Sequence, residues 1–246
     1  MKQFTIGNLQ ITIFPPATGF PLPALSPGAP VRIAYFLTPM DLPASSMQHL
    51  ARRHRIHIAV VSGMDWDNDL TPWRAPGVFR TDPEFKGRAD QFLKTLENEV
   101  IPRVEADLSD MYPGMRSGNL PGAPVRAITG VSLSGLFAMY AWLTSTTFTN
   151  MGSISGSFWY DGFLRWVLDR KPLNPNGVVY LSLGKEEGGA HGNPRFADVA
   201  ENTAGIAAYL TRSGIPVIYE RTPGNHYAPL LPRLDRMFSG IATLLR

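Results

Sequence analysis

Gly130-Val131-Ser132-Leu133-Ser134-Gly135 is the stretch whose reading decides the fold. Before it lies a β-prone run, Val125-Arg126-Ala127-Ile128-Thr129. After it comes a helix-forming one, Leu136-Phe137-Ala138-Met139-Tyr140-Ala141-Trp142-Leu143. A serine on a sharp strand-to-helix turn is presented as a nucleophile, and so tight a turn admits only small residues two positions before and two after it. Sterics choose between the two serines. With Ser132 at the apex the flanking residues are Gly130, Ser134 and Gly135, all small. With Ser134 at the apex they include Leu136 and Phe137, which are bulky. Ser132 is therefore the candidate nucleophile, in a G-x-S-x-S pattern rather than the usual G-x-S-x-G. The competing reading is an ordinary Gly-Ser turn that caps a helix.

Around this turn the chain alternates strands and helices. Phe4-Thr5-Ile6 and Ile11-Thr12-Ile13 flank Gly7-Asn8 and predict an N-terminal hairpin. A loop rich in proline follows (Pro15, Pro16, Pro21, Pro23, Pro27, Pro30). Val31 to Leu37 and His57 to Val61 are continuous apolar runs, as expected of strands buried on both faces. A short helix is predicted from Pro43 to Arg52. Helical spacing recurs over Phe92, Leu93, Leu96, Val100, Ile101, Val104 and Leu108, with Pro102 placed to kink or break that helix. Further strands are predicted at Met151 to Ser155, Val178 to Leu183 and Pro216 to Glu220. Helices are predicted from about Arg195 to Arg212 and Leu230 to Leu245. The pattern implies one α/β domain over residues 1–246: a mostly parallel central sheet, helices on both faces, and an antiparallel hairpin at the N-terminal edge.

Composition narrows the classes. Of 246 residues, 44% are hydrophobic and 17% charged, which fits a globular chain rather than a disordered one. The net charge of +3 is scattered, and its densest cluster, Arg52-Arg53-His54-Arg55, reads as a solvated helix end rather than a nucleic-acid patch. No apolar run approaches the length of a membrane span. The start, Met1 to Ile6, lacks the apolar stretch of a signal peptide, and there are no cysteines; both fit a cytoplasmic protein. No metal or cofactor is expected, because no thiolate or H-E-x-x-H cluster, P-loop or G-x-G-x-x-G is present. Oligomeric state is not legible.

In open α/β sheets, reactive groups collect beyond the carboxyl ends of the strands. Partners of an elbow serine follow it in the order acid, then histidine. His226, in Pro223-Gly224-Asn225-His226-Tyr227, lies beyond a late strand and is the candidate base. The acid is expected in Gly184-Lys185-Glu186-Glu187-Gly188-Gly189. Glu187 is preferred, Glu186 is the close alternative, and a Ser–His pair with no third member stays open. His49, His54 and His57 precede the elbow, and His191 has no evident partner. An oxyanion hole needs two N–H donors. Leu133 supplies one. In Thr38-Pro39-Met40, Pro39 has no N–H, so Met40 is the expected second.

With those residues in place, the chain resembles the putative-esterase family of α/β-hydrolases, nearest its siderophore-esterase branch, from about Val31 onward. The elbow through Leu136-Phe137 is similar to the family's G-H-S-L-G-G-L-F. Asp69-Leu70-Thr71-Pro72 resembles its D-L-T-P loop. Ser155-Gly156-Ser157-Phe158-Trp159-Tyr160 resembles S-P-S-L-W-W. Leu181 to Glu187 with Asn193-Pro194-Arg195 resembles the acid-bearing loop, and Gly224-Asn225-His226 resembles G-G-H. Ser134 departs from the second elbow glycine, and Thr38-Pro39 from the usual Asp-Gly. The resemblance implies an α/β-hydrolase fold and a serine hydrolase of carboxylic esters. Two alternatives remain: an acyltransferase on the same scaffold, and a binding homologue without catalysis. Trp66, Trp73 and Trp159 are expected pocket walls, and Arg74 with Arg80 are placed to meet an anionic ligand.

Overall fold

The computed structural model describes residues 1–17, 22, 30–112, 123–189 and 193–243. Among the described residues there are ten strands: β1 (Lys2–Ile6), β2 (Leu9–Phe14), β3 (Arg32–Leu37), β4 (His57–Ser62), β5 (Arg74–Ala75), β6 (Phe85–Lys86), β7 (Val125–Val131), β8 (Asn150–Ile154), β9 (Val179–Gly184) and β10 (Val217–Thr222). The helices are α1 (Ala44–His54), α2 (Trp66–Asp69), α3 (Ala89–Thr95), α4 (Ile101–Ser109), α5 (Leu133–Thr144), α6 (Phe163–Leu168), α7 (Val199–Arg212) and α8 (Leu230–Thr243). Eight strands form one sheet in the order β1-β2-β4-β3-β7-β8-β9-β10. The six strands from β4 to β10 in that order run parallel, and the hairpin β1–β2 adds the antiparallel edge. Gly7 closes the hairpin at a φ of +56°, where a residue without Cβ carries no steric penalty.

Alternation along the strands builds two cores. Ile33, Tyr35 and Leu37 of β3 face one side, and Ala34 and Phe36 face the other. The first side is covered by α3 to α7, with Leu136, Phe137 and Trp142 of α5 fully buried. On the second side α1 contributes Met47 and Leu50, and α8 contributes Leu234, Met237, Phe238 and Ile241. The paired cores explain why the central strands read as unbroken apolar runs.

Local differences from the sequence reading have identifiable causes. Pro102 does not break the helical run. It falls in the first turn of α4, directly after a π-helical turn at Leu96–Val100 that widens the backbone where proline lacks a donor. The helix expected from Arg195 divides into a short 3-10 turn, Pro194–Phe196, and α7. The basic cluster is the C-terminal end of α1, where positive charge suits the helix dipole. Arg53 and His54 also tie that end to Asp235 of α8, at 3.2 and 2.7 Å. Pro21, Pro23, Pro27 and His191 lie outside the described residues. Among those described, no helix is long and apolar enough to cross a membrane.

His57 opens β4 and is buried. Its Nδ1 faces the Arg32 carbonyl at 3.2 Å, and its Nε2 faces the Tyr112 hydroxyl at 2.8 Å. A carbonyl only accepts, so Nδ1 carries the proton and Nε2 accepts from Tyr112. Burial lowers the His57 pKa from 6.5 to about 4, against a smaller opposing pull from the Arg32 carbonyl. Between those two values the unfolded chain binds a proton that the folded one does not, so stability falls as pH drops through this window. Wild type is expected to lose about 3 kcal/mol through this group between pH 7 and pH 4. Urea melts of wild type and His57→Gln across that range check it. The variant should lack this part of the slope, and parallel slopes would contradict the assignment.

Candidate active site

Ser132 follows β7 directly, with a φ of 58° and a ψ of −123°. An L-residue takes that conformation only where its surroundings enforce it. A Cβ on Gly130 would lie 2.4 Å from the Ser134 backbone, and one on Gly135 would lie 2.4 Å from Ser153 Oγ. The Ser132 N–H donates to the Ile154 carbonyl at 3.0 Å, and the Ser157 N–H donates to the Ser132 carbonyl at 3.1 Å. The elbow is thereby pinned to the end of β8 and the segment after it.

Ser134 occupies the second elbow position productively. Its buried Oγ accepts from the Val131 N–H at 2.8 Å and lies 2.8 Å from both the Leu37 and the Val131 carbonyl oxygens, to which its own proton can be donated. A hydroxyl here joins the ends of β3 and β7, which a glycine cannot do. Ser134→Ala is expected to cost about 1–3 kcal/mol, because buried backbone groups lose a partner. Chemical denaturation measures it, and an unchanged midpoint would contradict the role.

Two neighbouring loops bring up the partners. After β9, the Lys185 N–H donates to the Thr222 carbonyl and the Glu186 N–H to the Gly224 carbonyl, at 2.8 and 3.1 Å. The acid loop is therefore fastened to the loop that follows β10 and carries His226. His226 Nε2 lies 3.1 Å from Ser132 Oγ, and His226 Nδ1 lies 2.8 Å from Glu187 Oε2. The carboxylate fixes the proton on Nδ1 and leaves Nε2 to accept from the serine. Of the two candidate acids the structure brings Glu187 to the imidazole. Glu186 lines the pocket instead.

Burial would raise the pKa of Glu187, but hydrogen bonds from His226, Ser155 and the Gly184 N–H outweigh it and hold the carboxyl below its ordinary value. The Gly184 N–H donates to Oε1 at 2.7 Å, and the Ser155 hydroxyl donates to the same oxygen. Behind them lies Arg233 of α8, only 4% exposed. Its Nη2 donates to Ser155 Oγ and lies 3.6 Å from Glu187 Oε1. Arg233 escaped the sequence reading, yet it left a signal. It sits three residues after Leu230 and four before Met237, on the apolar face of an amphipathic helix, where a charge calls for a partner.

Beside the serine lies a pocket of about 400 Å³ whose walls include Trp66, Val78, Phe85, Trp159 and Phe196. Among the described residues, no group of three or more His, Asp or Glu is placed to hold a metal ion.

A family profile described as Putative esterase matches residues 39–239 of this chain. The chain belongs to that family. It is a carboxylic ester hydrolase, and its likeness to solved esterases shows the α/β-hydrolase fold. The siderophore hydrolase EstA from Aspergillus nidulans superposes with a TM-score of 0.68 at 21% identity, over 97% of this chain and 91% of that one. An IroE-like serine hydrolase from Shewanella oneidensis gives 0.69 at 18% identity, over 96% and 75%. An uncharacterized protein, YbbA of Bacillus subtilis, is 28% identical over 200 residues, 76% of this chain and 72% of its own length.

Other expected site residues of this esterase lie elsewhere. Met40 does not line the pocket. Its N–H donates to Thr38 Oγ1 at 3.1 Å within its own turn, and its side chain is exposed. Pro39, between Thr38 and Met40, has no N–H to offer. Trp73 is a packing residue: its Nε1 donates to the Asp161 carbonyl at 2.9 Å, and its rings rest on Tyr160, Phe163 and Trp166. Arg74 is exposed and pairs with Glu84 at 2.9 Å, and Arg80 is exposed as well. Neither arginine lines the pocket, although Val78 and Phe85 of the same segment do. Leu133, Trp66 and Trp159 do line it. So does Ser157, whose buried hydroxyl lies 3.3 Å from Ser132 Oγ and was not singled out from the sequence.

Proposed function

We propose that this esterase works through an acyl-enzyme formed on Ser132. The observation that carries the reading is the continuous relay from Ser132 Oγ to His226 Nε2 and from His226 Nδ1 to Glu187, on a turn that holds the serine in a strained backbone conformation. Ser132 attacks the ester carbonyl as His226 takes its proton. His226 then returns the proton to the departing alkoxide, and Glu187 stabilises the imidazolium in between. Water, deprotonated by the same histidine, releases the acid. The Leu133 N–H lies in the first turn of α5, where backbone donors have no partner within the helix, and is the first oxyanion donor. The aromatic walls and the likeness to EstA support siderophore-type or aromatic esters as substrates. Rapid mixing with p-nitrophenyl butyrate is expected to give a burst of nitrophenolate equal to the enzyme concentration, then slower turnover. Added methanol should raise the second phase and divert product to methyl butyrate. Turnover with neither a burst nor a response to methanol would overturn the acyl-enzyme.

A further inference from the structure

Asp67, on α2 next to Trp66, and Glu186, next to the triad acid, both line the pocket, and among the described lining residues there is no lysine or arginine. The Asp67 carboxylate has no hydrogen bond or ion pair among the described residues, whereas its neighbours Asp65 and Asp69 both pair with Arg88. Glu187, by contrast, is already matched by His226 and Arg233. The Arg195 guanidinium lies over two of the aromatic walls, 5.4 Å from the Trp159 ring centroid and 6.0 Å from that of Phe85. Bonds to the Pro76 and Gly77 carbonyls and to Asp161 at 2.9 Å hold it there. What remains is the Trp66 indole, over which no guanidinium of the described residues lies, and the two exposed carboxylates of Asp67 and Glu186, which have no counter-ion among the described residues.

We infer that this pocket selects esters bearing an alkylammonium group, and disfavours anionic ones. Aromatic faces attract cations through their quadrupole, most strongly with indole and when water is displaced. A carboxylate at the same wall adds a Coulombic preference that a neutral isostere cannot use. The pKa of Asp67 is raised, by partial burial and by the nearby Asp65 and Asp82 charges, as expected of a carboxylate that lacks a cation. The selection replaces the sequence-based expectation that Arg74 and Arg80 receive an anion. It rests on the esterase reading above and gives it a substrate class.

Matched esters test it. Butyrylcholine is compared with 3,3-dimethylbutyl butyrate, its neutral isostere. On the acyl side, the p-nitrophenyl ester of 4-(trimethylammonio)butyrate is compared with that of 5,5-dimethylhexanoate and with the glutarate monoester. In at least one pair kcat/KM is expected to favour the cation by tenfold or more, with the glutarate monoester the poorest substrate. That ratio should shrink as salt is raised, fall toward unity in Asp67→Asn and invert in Asp67→Lys. Ratios at or below one in both pairs, with turnover present, would overturn the selection and leave the esterase reading standing. If no ester is turned over, the catalytic reading fails instead. The selection is then read in Ser132→Ala by tryptophan fluorescence, where benzyltrimethylammonium should bind and benzylsulfonate should not. Equal response to the two, or to neither, would overturn it.

Discussion

Ser132→Ala, His226→Ala and the double substitution are expected to lower kcat/KM to one common floor, about 10⁴- to 10⁶-fold below wild type. The two residues share one proton. Ser132 Oγ is a weak nucleophile until His226 Nε2, 3.1 Å away, accepts its hydrogen. Removing either atom removes the same event, so the second loss has nothing left to act on. If the two residues acted separately, the double variant would show the product of the single losses. Steady-state kinetics on one activated ester decides between a common floor and a product. Neither side chain builds the core, since both line the open pocket, so thermal stability should change by less than about 1 kcal/mol.

Glu187→Gln is expected to lower kcat about 10³- to 10⁴-fold while the fold is retained. The mechanism follows from the two donors at Oε1. The Gly184 N–H and the Ser155 hydroxyl both require an acceptor there, so the amide oxygen of glutamine takes that place. Its NH₂ group is then turned toward His226 Nδ1, which must accept. The imidazole proton moves to Nε2, and the histidine can no longer take the serine proton. Glu187→Ala should cost less activity than Glu187→Gln, because no amide then imposes the wrong tautomer. The reverse order in kcat would contradict this geometry. Arg233, held at Ser155 and 3.6 Å from Glu187, keeps Oε1 in place from behind.

Those effects depend on a site whose outline was legible in the chain and whose supports were not. The elbow could be read because packing restricts it: Gly130 and Gly135 are small since Ser134 and Ser153 leave no room for a Cβ. His226 and Glu187 could be read because a parallel sheet delivers successive loops to one edge, and chain order then leaves few candidates. The preference for Glu187 over its neighbour Glu186 is different in kind. Adjacent residues of a loop point in different directions, and the Gly184 N–H, which donates to Oε1 of Glu187, fixes which of the two turns inward. Met40 was misplaced because an N–H that exists need not be aimed, and Thr38 Oγ1 captures this one. Trp73 was misplaced because an indole serves a core and a pocket equally well in sequence, and its contacts to Tyr160, Phe163 and Trp166 exist only in three dimensions. The mostly parallel sheet and the hairpin at its edge followed from periodicity; the strand order did not. The π-helical turn before Pro102 did not, because that spacing of apolar residues is equally compatible with a kink.

The claim on which the rest depends is that Ser132 is chemically activated. Intact-mass spectrometry after exposure to a fluorophosphonate measures it directly, with wild type and Ser132→Ala side by side. One adduct per chain on wild type and none on the variant is the predicted result. An unmodified wild type, or the same adduct on both proteins, would contradict it.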